Sequence, residues 1–312
     1  MGQKPEIVVI GSLNADLVQK VDRLPTPGET IVGGSLETYS GGKGANQAHA
    51  AGRMGARVTM IGQVGRDSLA RLLIDSLQSA GVSTASVGVS DTATGAAVIL
   101  VLPDGENVIV IAPGANATVT PELASERLGV LRPGSYLLSQ LEIPIESVDR
   151  ALAAAKEQGA TTILDPAPAR ALPSRLLRNV DFLTPNETET RTLLGEPDLA
   201  LDDDSEVEAA AGRILGLGPG SVILKLGARG CLIATNEGTL LVPGFRVEAV
   251  DTTAAGDVFN GAFAAALAEG RTVPQGARFA NAAAALSVTR PGAQNSVPTR
   301  EGLDRFLSEV GP

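Results

Sequence analysis

Short apolar runs closed by Gly, Pro or a polar residue recur along this chain at 7–10, 58–61, 136–141, 161–164, 181–183 and 222–226. Such continuous runs predict strands covered on both faces, as in a parallel sheet. Between them, helical patterns fall at 46–54, 68–80, 145–158, 187–194 and 206–215, and beyond position 251 the chain turns Ala-rich and helical over 256–269 and 275–289. This alternation predicts an α/β fold: a doubly wound, mostly parallel sheet flanked by helices.

Two stretches break the alternation. Residues 13–39 and 94–111 read as extended segments with turn signals and no helix between them, and Pro103-Asp-Gly-Glu106 has the chemistry of a hairpin turn. The expected organisation is one unit over 1–312, carrying a small β-sheet that serves as a lid, a dimer contact or both.

Composition narrows the function. A formal charge of −10 and an aromatic content of 3% with no Trp argue against a nucleic-acid binder, which needs clustered cations and stacking platforms. Local positive potential for a small anion remains available from backbone amides. The lone Cys231 lies in an apolar stretch and has no intramolecular disulfide partner, and the lone His49 belongs to no zinc-like pattern; both are expected to be packing residues. The beginning of the chain reads as a strand rather than a signal segment, so the expectation is a soluble, cytoplasmic protein with no membrane or nucleic-acid partner.

Candidate chemistry centres on Asp251-Thr-Thr-Ala-Ala-Gly-Asp257, where a small-residue turn and a carboxylate open an apolar helix. Ala254, Ala255 and Gly256 allow amides to approach an anion at the positive end of the helix dipole. Asp257, in the first turn, could take a proton from an attacking hydroxyl, although an acidic residue there is also an ordinary helix-start feature. A second glycine-rich helix start, Ser40-Gly-Gly-Lys-Gly-Ala-Asn-Gln47, lies far upstream. Asn14 and Asp16 follow the first strand and Glu142 ends another, positions suited to a polyol because open α/β sheets bind ligands beyond their strand ends. Asn186 and Glu189 stand at capping-box spacing, and Lys225 precedes a turn containing Gly227 and Gly230. No phosphate-loop motif, nucleophile elbow or dinucleotide fingerprint is present.

Taken in order, these motifs, with Thr289-Arg-Pro-Gly-Ala-Gln-Asn-Ser-Val-Pro298, make the chain resemble the ribokinases among the ribokinase-like carbohydrate kinases over nearly its whole length. The resemblance implies ATP-dependent phosphorylation of ribose at its 5-hydroxyl, with Asp257 as base and Ala254, Ala255 and Gly256 as anion hole. It implies sugar contacts from Asn14, Asp16, Gly42, Lys43, Gly44, Asn46 and Glu142. Asn186 and Glu189 would position phosphate and Mg²⁺ through water, and Lys225, Gly227, Gly230 and Asn281 would lie at the nucleotide. An activating K⁺ would sit near Asp251, Thr253, Ser287, Arg290, Gly292 and Ser296, several of them through backbone carbonyls, and a homodimer would form through the lid. Departures from the family pattern are Asn281 where His is frequent, Lys225 where Thr is frequent, and Val258 where Thr commonly follows the base. The rival readings are a kinase of deoxyribose or a ketose, or a catalytically silent sugar binder.

Overall fold

The structure, a computed structural model, describes residues 5–311. Its first half contains β1 (Glu6–Ile10), β2 (Asn14–Lys20), β3 (Leu36–Gly41), α1 (Lys43–Arg53), β4 (Arg57–Val64), α2 (Ser68–Ser79), β5 (Ser83–Val89), β6 (Gly95–Val101), β7 (Asn107–Ala112) and α3 (Pro121–Arg127). There follow β8 (Tyr136–Ser139), α4 (Ile145–Glu157), β9 (Thr161–Leu164), α5 (Ser174–Leu177), β10 (Phe182–Leu183), α6 (Glu187–Leu194) and α7 (Asp204–Leu215). The chain closes with β11 (Ser221–Lys225), β12 (Gly230–Thr235), β13 (Gly238–Pro243), α8 (Ala255–Ala268), α9 (Val273–Ser287) and α10 (Arg300–Val310).

The main sheet has nine strands in the order β13-β12-β11-β10-β9-β8-β1-β4-β5. All neighbours from β5 to β11 pair in parallel, whereas β12 and β13 add an antiparallel hairpin at one edge. Residues 7–10 are fully buried, as a central strand with both faces covered requires. Two cores form on opposite faces: Ile7 and Val9 join one cluster, Val8 and Ile10 the other. Chain order reverses beside β1, so the carboxyl ends of β1 and β8 form a switch point where loops part and a ligand can enter.

The expected small sheet is β3-β2-β6-β7. Asp16, Ala97 and Ile111 share one register row and Leu17, Val98 and Val110 the next. Because side chains alternate, the first row faces the body and the second faces outward.

Several boundaries differ from the sequence reading. Helix α1 starts at Lys43 rather than 46, because Gly42 takes φ 86 at its N-cap and the polar residues that follow continue the helix. Strand β8 stops at Ser139, and the chain then leaves the sheet toward the switch point. Strands β5, β12 and β13 and helices α3, α5 and α10 add to the expected set.

Helix α8 is buried on every side over residues 257–268, packed against α1 and α9. A Cβ at Gly261 would lie 2.4 Å from the Gln47 carbonyl oxygen and 2.7 Å from Ala50 Cβ. The absent side chain therefore lets α1 and α8 touch backbone to backbone, and both helices point their N-termini into one cavity.

Candidate active site

That cavity, about 530 Å³, lies over the strand ends between the body and the lid. Asn14, Asp16, Gly42, Lys43, Asn46 and Glu142 line one end, Asn186, Glu189, Lys225 and Gly227 the other, and residues 252–257 the middle. Ala97, Ile99, Ile109 and Ile111 of the lid supply an apolar roof.

Asp257 is the pivot of a buried polar network. Its Oδ1 accepts from Gln47 Nε2 at 2.9 Å and its Oδ2 from Asn46 Nδ2 at 3.0 Å. Burial pushes its carboxyl above the usual range and Asp165 adds to this, against the pull of Lys43 and the two amides. A carboxylate made more basic in this way is suited to receive a hydroxyl proton. The Lys43 ammonium is held protonated, chiefly by Asp257.

The helix start beside Asp257 carries no side-chain cap. Ala254 there adopts φ 58, the left-handed region, and is the sole non-glycine residue to do so among the described residues. The Ala255 amide donates to the Thr252 carbonyl within this turn, and residues 254–257 line the cavity at the positive end of the helix dipole, which favours an anion.

At the end lined by α1, Glu142 Oε2 accepts from Ser12 Oγ at 2.5 Å and from the Lys43 amide at 3.0 Å, which ties it to the N-terminus of that helix. Asn14 Oδ1 accepts from Asn116 Nδ2 at 2.7 Å. The carboxyl of Asp16 is pushed up to about 7 by burial, then by Glu142 and Asp257.

Not every expected residue reaches the cavity wall. Gly44 packs on the β1 exit, where a Cβ would come within 2.6 Å of the Ser12 nitrogen. Gly230, at φ 101, turns the chain into β12. Asn281 is buried and donates to the carbonyls of Val242 and Pro243, fastening α9 to β13. Asn186 and Glu189 form a full capping box, and both Glu189 oxygens accept from Asn186. Burial raises the Glu189 carboxyl, against the opposing pull of Lys225.

The two segments assigned to a monovalent cation are joined, but outside the cavity wall apart from Thr253. Asp251 Oδ1 accepts from the Thr253 amide at 2.9 Å and Oδ2 from the Gly292 amide at 2.7 Å, while the Val250 and Asp251 amides donate to the Val288 carbonyl. Ser287 and Ser296 turn their hydroxyls onto the backbone carbonyls of Ala284 and Ala293, and the Arg290 amide donates to the Ser287 carbonyl.

Sequence reasoning missed Asp165, which lines the cavity, is 2% exposed, and accepts from Gln47 Nε2 at 2.9 Å and Lys225 Nζ at 3.0 Å. It follows β9 directly, the same strand-end signal that marks Glu142. Gln47, Ser12 and Asn116 were missed because each acts by orienting another side chain.

An uncapped helix start beside a basic carboxylate, in a pocket with polar walls and an apolar roof, is the arrangement of an α/β kinase that phosphorylates a small hydroxylated substrate. The model of the pfkB family of carbohydrate kinases matches residues 4–300, and the chain belongs to that family. It is 42% identical over 303 residues to the ribokinase of Bacillus subtilis, covering 97% of this chain and 99% of the relative. It is 37% identical over 305 residues to the deoxyribokinase of Salmonella typhi, with the same coverage. Among solved structures, Arabidopsis thaliana ribokinase complexed with ribose and ATP superposes with a TM-score of 0.88 at 33% identity, covering 97% of this chain and 99% of that one.

Proposed function

We propose that the chain transfers the terminal phosphoryl group of ATP to the 5-hydroxyl of D-ribose, giving ribose 5-phosphate and ADP. The observation that carries this reading is Asp257: a buried, basic carboxylate between the polar pocket and the uncapped start of α8. Asn14, Asp16, Lys43, Asn46 and Glu142 would hold the sugar hydroxyls. Asp257 accepts the proton of the attacking hydroxyl as its oxygen bonds to phosphorus and the bond to ADP breaks. The anion hole expected at Ala254, Ala255 and Gly256 would meet the charge on the transferred group, the Ala255 amide giving up its turn bond to the Thr252 carbonyl to do so.

Among the described residues no three His, Cys, Asp or Glu side chains gather into a metal cage. Asn186 and Glu189 line the cavity, and their oxygens would suit a Mg²⁺ that keeps its water shell and reaches them through water. When bound with ATP, the ion would neutralise phosphate charge. Asp251 and the carbonyls of 287–296 suit a K⁺ whose role is to brace the turn at Ala254. The outward row of the lid, with Val110 65% and Val98 45% exposed, suits a second copy of the chain. No described helix is long and apolar enough to cross a membrane.

A coupled ADP-release assay with ATP, Mg²⁺ and K⁺ across ribose, deoxyribose and ketoses tests the reading. Ribose should give the highest kcat/KM. A preference for deoxyribose or a ketose would overturn the substrate, and sugar binding without ADP release would overturn the kinase.

A further inference from the structure

Lys225 is the last residue of β11, and its amide donates to the Pro185 carbonyl at 2.8 Å. Its ammonium reaches across the end of the two-residue strand β10 to Asp165, which follows β9. The pair closes at 3.0 Å with side chains 11% and 2% exposed. Burying two charges is costly unless good geometry and further hydrogen bonds offset it, and Asp165 has one more, from Gln47 Nε2. A Cβ built on Gly256 would lie 3.4 Å from Lys225 Nζ, so the ammonium sits beside the amides that open α8.

Charge in the cavity makes the placement matter. Asp16, Glu142, Asp165, Glu187, Glu189 and Asp257 line it, against two cations, Lys43 and Lys225, with Glu187 paired to Arg229 outside the lining. The charge of Lys43 is balanced chiefly by that of Asp257. Within this acidic lining the start of α8 and the Lys225 ammonium beside it are favourable places for an incoming polyphosphate.

We propose that Lys225 is a catalytic residue whose ammonium contacts the transferred phosphoryl group at the start of α8, and that Asp165 is the positioning residue that aims it. This rests on the kinase reading above. Lys225 keeps its proton throughout and no bond to it forms or breaks. It lies against the non-bridging oxygens while the hydroxyl oxygen bonds to phosphorus, the bond to the nucleoside diphosphate breaks, and the hydroxyl proton passes to Asp257. Through Gln47, which donates to both Asp165 and Asp257, the cation and the base are held in one frame.

Lys225→Met alone would strand a buried carboxylate, so the test uses Lys225→Met/Asp165→Asn, which removes both charges together. We expect kcat to fall about 10²-fold, the range for losing one donor to a developing anion, with sugar affinity changed less than about threefold. Calorimetry with ADP and vanadate, without sugar, should show roughly tenfold weaker binding, which judges Lys225 whatever sugar the enzyme uses. Lys225→Cys treated with 2-bromoethylamine restores an ammonium at nearly the original length and should recover turnover. Cys231 will not compete, because burial pushes its thiol up to about 12. For Asp165, Asp165→Asn alone should lower kcat while leaving the sugar KM in place, whereas a purely structural role would lower the melting temperature with kcat per folded molecule unchanged. Near-parental kcat and vanadate affinity in the double variant, or no recovery on alkylation, would overturn the proposal.

Discussion

Replacing Asp16 by Asn should make the sugar-free protein more stable above neutral pH while weakening its hold on sugar. The carboxyl stands at about 7 instead of 3.8, through burial first and then Glu142 and Asp257. Between those limits the folded protein keeps a proton that the unfolded chain has released. This contribution to stability is complete below about pH 4 and is lost as pH rises through about 7. At ~1.36 kcal/mol per pH unit, the loss by about pH 8 is about 4 kcal/mol. Asn keeps the shape and does not titrate. Urea unfolding of the two proteins without sugar should give similar free energies near pH 4, and an advantage to the variant of up to about 4 kcal/mol near pH 8. Added ribose should stabilise the parent by mass action and the variant much less. A difference between the proteins that does not change with pH, or a variant less stable near pH 8, would refute the electrostatic argument.

Asp257→Asn should lower turnover by about 10²–10⁴-fold with sugar affinity largely kept, and near-parental turnover in a folded variant would remove Asp257 as base. Gly261→Ala inserts a methyl 2.4 Å from the Gln47 carbonyl, so unfolding measurements should show a loss of about 1–3 kcal/mol, and kcat should fall as Asn46 and Gln47 shift from Asp257. Asp251→Ala should abolish activation by K⁺ over Na⁺ at constant ionic strength, and equal parental rates in both salts would remove the cation site. Val110→Asp, at a 65% exposed position on the outer lid row, should convert a dimer into monomers by light scattering; a parent that is already monomeric and fully active at micromolar concentration would count against the lid interface.

The sequence by itself determined what depends on near neighbours. Continuous apolar runs marked the parallel strands, since a strand buried on both faces must be apolar throughout. Polar residues just past those runs marked Asn14, Asp16 and Glu142, and small residues before Asp257 marked an anion-ready helix start. Helix α10, with its Thr299 cap and apolar Leu303, Phe306 and Leu307, had an equally local signature. The edge strand β13 was harder to read, because it is exposed along most of its length and carries no clear apolar face.

Tertiary structure alone decided what those residues do. Gln47 meets Asp165 and Asp257 across 118 and 210 positions of chain, a meeting set by strand order and by the close approach of α1 and α8 at Gly261. The basicity of Asp257 and Asp16 comes from desolvation by elements remote in sequence, and Asn281 is spent on joining α9 to β13. Local pattern reports which face of an element is buried. Which two elements bury each other, and so which charges share one low-dielectric cavity, is a property of the assembled fold.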